Sequence, residues 1–133
     1  MMRHMCKGKI HRATVTEARL DYVGSITLDV ALMRAANIEP QEMVQITSLR
    51  NATLWKTYAI PAPEGSGKVC LNGPPALLFE PGDLIIVLST GWFGEEELAG
   101  LRPQVVFVDG GNRIERVEEL EWTVLRQDRQ LED

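Results

Sequence analysis

The stretch Leu20–Asp29, LDYVGSITLD, decides the fold, because two strand-like runs meet within it at Gly24-Ser25. Upstream, GKIHRATVTEARLDYV is rich in β-branched residues, and downstream SITLDV repeats the pattern, so both flanks are predicted strands. Taken alone, a glycine followed by a serine marks an ordinary hairpin turn, and Gly65-Ser66 repeats the pair elsewhere in the chain. Tyr22, two residues before the junction, is harder to explain in a chain with so few other catalytic groups.

Outward from this junction the pattern stays mostly β. LDVALMRAANIEP changes period, with Asp29 as a helix N-cap, Asn37 where a C-cap belongs and Pro40 as the stop. EMVQITSL and LWKTYAIPA flank the turn RNAT as a hairpin, and the turn EGSGK leads to a short strand, VCLN. GPPALLFEPGDL is a compact connection into the continuous apolar strand LIIVLS, and QVVFVDG reads as another buried strand. A last helix or strand is expected near residues 117–125, with fraying beyond it. Six or seven short strands with one or two short helices predict a mainly β chain closed into a barrel, since closure removes exposed sheet edges.

A length of 133 residues fits one domain with a core of its own. The 14 Lys and Arg against 19 Asp and Glu give a net charge of -5, which offers no footprint for nucleic acid and favours a small metabolite or a protein as partner. The two cysteines, Cys6 and Cys70, stand far apart, and no apolar leader opens the chain, so a reducing, cytoplasmic setting is expected. No run approaches the roughly 18 apolar residues of a membrane span, and no membrane partner is expected. Neither His4 nor His11 has a second ligand at zinc spacing, so no metal is expected. GSGK at residues 65–68 lacks the remaining residues of a phosphate loop, and GEEELAG reads as a solvated helical turn.

A serine after glycine has a chemistry of its own. The hydroxyl of Ser25 can attack the carbonyl of Gly24 if fixed donors hold the oxyanion, giving an ester. Elimination and loss of ammonia then leave a pyruvoyl group at the new N-terminus. Such a ketone accepts an amine substrate and draws electrons from a breaking bond.

GKIHRATVT, LDYVGSITLD, KTYAI, LNG and EPGDLIIV, in that order and spacing, resemble the pyruvoyl-dependent aspartate 1-decarboxylases, from about Met1 to about Phe107. The resemblance implies a double-psi β-barrel, a homotetramer with sites between subunits, and self-cleavage between Gly24 and Ser25 into chains 1–24 and 25–133. It implies a pyruvoyl cofactor derived from Ser25, and conversion of L-aspartate to β-alanine and CO2 for pantothenate synthesis. Carried over residue by residue, Thr57 bonds the Gly24 carbonyl during processing, Asn72 helps hold the oxyanion, and Tyr58 returns a proton to the substrate. Tyr22 flanks the cleavage loop, Lys9 and His11 line the site, with Lys9 as a cation for a substrate carboxylate, and Gly73 follows Asn72 at the binding loop.

The chain departs from the family where a carboxylate would be gripped. Leu54 stands in place of an arginine, and alternation along the strand makes Lys56, on the face of Tyr58, the nearest substitute. Pro74 and Pro75 replace two alanines and remove two backbone donors. The processing set is intact and the recognition set is thinned. Aspartate is therefore expected to be held weakly. Two alternatives stay open, a pyruvoyl decarboxylase of a different amino acid and an uncut, non-catalytic barrel acting as a binding module.

Overall fold

In a computed structural model, which describes residues 1–120, those residues form nine strands, two short α-helices and one 3-10 turn. The strands are β1 (Met2–Thr14), β2 (Glu17–Arg19), β3 (Ser25–Asp29), β4 (Met43–Ser48), β5 (Leu54–Ala62), β6 (Val69–Asn72), β7 (Leu84–Gly94), β8 (Gln104–Val108) and β9 (Ile114–Glu119). They form one sheet in the order β2-β6-β3-β5-β4-β7-β1-β8-β9. The mainly β, double-psi barrel class with two short helices is borne out, but the hydrogen-bonded ladder runs from β2 to β9 without closing. The expected count of six or seven fell short because β2 is only three residues long and β9 is exposed along its length, so neither carries an apolar signature. Residues 121–125 of the expected last element lie outside the described residues.

Alternation sets the core. In β7, Ile85, Val87 and Ser89 face inward while Ile86, Leu88 and Thr90 are half-exposed, so the apolar run LIIVLS is buried on one face only. Ile85 and Val87 join Ile10, Ile26, Leu28, Ile46, Leu71 and Phe79 in one continuous core. Each contributes roughly 1.5 to 3 kcal/mol by leaving water.

Helix α1 (Val30–Ala35) caps one end of this core with Leu32 and Met33. Asp29 caps its start, accepting from the Ala31 amide at 2.9 Å, and Asn37, with φ 58°, takes the left-handed conformation just past its end. The helix sits close to β1, where a Cβ on Gly8 would come within 1.8 Å of the Ala36 carbonyl oxygen, so glycine is required there. Lys7 and Glu42 tie the same region together at 2.7 Å, and Ser89 donates to Glu42 at 2.7 Å. Helix α2 (Glu95–Leu98) is the acidic turn expected from GEEELAG.

Candidate active site

The strands β2 and β3, adjacent in sequence, are not neighbours in the sheet. The strand β6 lies between them, parallel to β2 and antiparallel to β3. Residues 20–24 therefore pass beyond the end of β6 instead of turning a hairpin, and Gly73, just past that end, lies against them. Gly73 has φ 78°, and a Cβ on it would stand 2.8 Å from the Gly24 Cα. Its amide donates to the Arg19 carbonyl at 2.8 Å.

Registration places the polar side chains in two rungs of one face. Arg19, Asn72 and Ser25 lie opposite one another, and so do Glu17, Cys70 and Thr27. Ser25 is 1 % exposed and Asn72 3 %. The Asn72 amide donates to Ser25 Oγ at 2.9 Å and to Thr27 Oγ1 at 2.8 Å, while its Oδ1 accepts from the Cys70 thiol at 3.1 Å. Ser25 in turn donates to the Val23 carbonyl at 3.2 Å. Burial, and then the charge of Glu17, push the Cys70 thiol pKa up, which keeps the proton that this thiol donates.

This face opens on a cavity of about 380 Å³ lined by Tyr22, Ser25, Tyr58, Cys70 and Asn72 among others. Thr57 is buried and faces away from it, because neighbours on β5 point to opposite faces. Lys56 and Leu54 share the Tyr58 face but are exposed, and β5 pairs with β3 only from Ala59 onward, so neither lines the cavity. The strand β1, with Lys9 and His11, is separated from β3 by β5, β4 and β7. Within this chain, then, Tyr22, Ser25, Tyr58 and Asn72 converge, while Lys9, His11, Lys56 and Thr57 do not line the same cavity. His11 meets Phe107 edge-on at 5.5 Å and lines a second cavity of about 270 Å³. Its pKa is lowered by burial and then by Lys9, Arg12 and Arg116.

Gly24 is outside the left-handed region, and a Cβ there would meet Pro74 Cδ at an ordinary 3.6 Å, so the uncut backbone does not need glycine at this position. Pro74 and Pro75 occupy the first positions of the 3-10 turn Pro74–Leu77, where a backbone amide has no partner within the turn, so the two donors they remove are ones the turn itself would leave unused. Cys70, Thr27, Arg19 and Lys68 were not singled out from the sequence. Alternation along KVCLN carries the signal for Lys68 and Cys70, which fall on the Asn72 face, whereas the β2–β6 pairing that brings in Arg19 has no local sequence mark.

Fold and site together define a double-psi barrel with a buried, amide-bound serine at the edge of a polar cavity. The pattern of the aspartate decarboxylase family matches residues 1–115. Aspartate 1-decarboxylase of Moorella thermoacetica is 50% identical over 117 residues, covering 88% of this chain and 91% of the relative. Those of Acetivibrio thermocellus, 54% identical over 110 residues, and of Neisseria meningitidis, 52% over 114, cover 83% and 86% of this chain and 87% and 90% of their own lengths. The chain belongs to the aspartate decarboxylase family.

Proposed function

We propose that this protein converts L-aspartate to β-alanine and CO2 after cutting itself between Gly24 and Ser25. The observation that carries the reading is the buried Ser25 hydroxyl, held by Asn72 at 2.9 Å beside a cavity that Tyr58 also lines.

Processing begins when Ser25 Oγ forms a bond to the Gly24 carbonyl carbon and its proton passes to the departing amide nitrogen, giving an ester. The Asn72 amide, bonded to the attacking oxygen, serves the oxyanion that forms at Gly24. Loss of the Gly24 carboxylate by elimination, uptake of one water and release of ammonia leave a pyruvoyl cap on residues 25–133. The pocket fits that group, since position 25 is buried, next to open volume and free of acidic neighbours in the lining. When formed, the pyruvoyl supplies the electron-withdrawing ketone that decarboxylation of an amine substrate needs. Tyr58 lines the same volume and returns a proton to the substrate's α-carbon.

The protein is read as a cytoplasmic homotetramer, which gives Lys9, His11 and Lys56 a route to a neighbour's cavity. Denaturing mass spectrometry tests the processing. Wild type resolves into residues 1–24 and a blocked 25–133 chain, and Ser25→Ala stays whole. A wild-type chain left intact after long warm incubation overturns the reading.

A further inference from the structure

Resting on that function, we infer that Arg19, with Lys68 behind it, is the group that grips the carboxylate aspartate keeps. Both residues line the Ser25 cavity, and the lining contains no carboxylate. Arg19 shares a rung with Asn72 and Ser25, two strand spacings or about 10 Å from Ser25 between Cα atoms. An arginine side chain spans most of that separation, and a dicarboxylic amino acid fills the remainder.

The arginine is held in place from three sides. Its Nε contacts Glu17 Oε2 at 3.1 Å, its guanidinium lies 5.0 Å from the Tyr22 ring centre, and its carbonyl accepts from the Gly73 amide at 2.8 Å. Glu17 also reaches Lys68 at 3.8 Å, so one carboxylate is shared by two cations. The cluster keeps one positive charge in excess. A second carboxylate entering the cavity completes the balance, and Arg19 offers it a planar pair of donors that a lysine lacks. Leu54, exposed and outside the cavity, supplies no such donor. The recognition that Leu54 removes from one side of the site is thereby replaced from β2. The substrate class is accordingly acidic, and a neutral amino acid leaves the excess charge unpaired.

The test compares wild type, Arg19→Gln, Arg19→Lys and the double variant Arg19→Gln/Lys68→Gln. Chain cutting is followed by mass spectrometry, aspartate and alanine turnover by CO2 release, and succinate binding by calorimetry. All four proteins should cut alike. In Arg19→Gln the KM for aspartate should rise tenfold to a hundredfold with kcat changed far less, a range that follows from loss of a charge-assisted pair. Succinate affinity should fall in parallel, Arg19→Lys should lie between, and the double variant should be weakest. Unchanged KM and unchanged succinate affinity in the double variant overturn the assignment, and alanine turned over faster than aspartate by wild type does so too. A wild type that never cuts overturns the proposed function instead, and is told apart by the mass spectrum; succinate binding that survives in the double variant then counts against Arg19 independently.

Discussion

Asn72 Nδ2 donates to Ser25 Oγ over 2.9 Å, across the antiparallel pairing of β6 with β3. This contact fixes where the serine oxygen sits relative to the Gly24 peptide. In the proposed processing the same amide serves the oxyanion that forms at Gly24, and removing a single preorganised oxyanion donor costs on the order of a hundredfold in rate. Asn72→Ala should therefore accumulate uncut chain at about one hundredth of the wild-type rate while melting close to Ser25→Ala. Cutting at the wild-type rate in Asn72→Ala would show that another donor serves the oxyanion.

The Cys70 thiol fixes which way that amide points. It lies 3.1 Å from Asn72 Oδ1, so the carbonyl end of the amide is turned toward β6's own cysteine and the nitrogen toward Ser25 and Thr27. Cys70→Ala leaves a buried acceptor without a partner, worth about 1 to 3 kcal/mol, and lets the amide rotate. Self-cutting should slow several-fold in Cys70→Ala and recover in Cys70→Ser, which restores a donor. Equal rates in the alanine and serine variants would reduce Cys70 to a space-filling residue.

Local pattern made some of this site legible and topology hid the rest. VCLN occupies Val69–Asn72 with the boundaries its composition suggests, and Asp29 caps α1 as its side chain predicts, because both depend on neighbours within a few residues. The parallel pairings β2–β6 and β3–β5 join segments tens of residues apart, and no short-range signal encodes them. For that reason LDYVGSITLD read as two strands about a turn, although β6 separates them. Lys56 depends on the same long-range order: alternation gives its face, but only the register with β3, starting at Ala59, places it outside the cavity of its own chain.

Gly73 and Gly24 touch, yet they should respond differently to a methyl group. Gly73 has φ 78° and backbone atoms of Gly24 within 3.0 Å of any Cβ, whereas Gly24 has an ordinary φ and 3.6 Å of clearance. In a Ser25→Ala background, where cutting does not complicate the measurement, Gly73→Ala should lower Tm by several degrees and Gly24→Ala by little. Equal melting of the two variants would mean that the loop relaxes around either one.

Asp83 anchors the loop before β7 and should control how the fold answers to acid. Its carboxylate accepts from Arg50 Nε at 2.9 Å and Nη2 at 3.1 Å and from the Glu80 amide at 2.9 Å, in a residue only 8 % exposed. The Arg50 hydrogen bonds outweigh burial and hold the carboxyl below its usual 3.8. The unfolded chain therefore takes up this proton first as pH falls. Stability from the pair is fully present above about pH 4 and is lost as pH drops through the lower folded value. Glu42 behaves in the same sense, since burial raises its pKa but the bonds from Lys7 and Ser89 outweigh burial and lower it below 4.5. His11 adds an earlier loss: burial and the nearby cations lower its pKa, so protonation begins to favour the unfolded chain near 6.5. These last two contributions are common to wild type and Asp83→Asn and cancel in the difference between them. Asp83→Asn should melt several degrees lower at pH 7, and its Tm should approach that of wild type as pH falls from about 4 toward 2.5. Melting curves that stay parallel through that window would show that the carboxylate's charge contributes nothing to the latch, leaving only its shape.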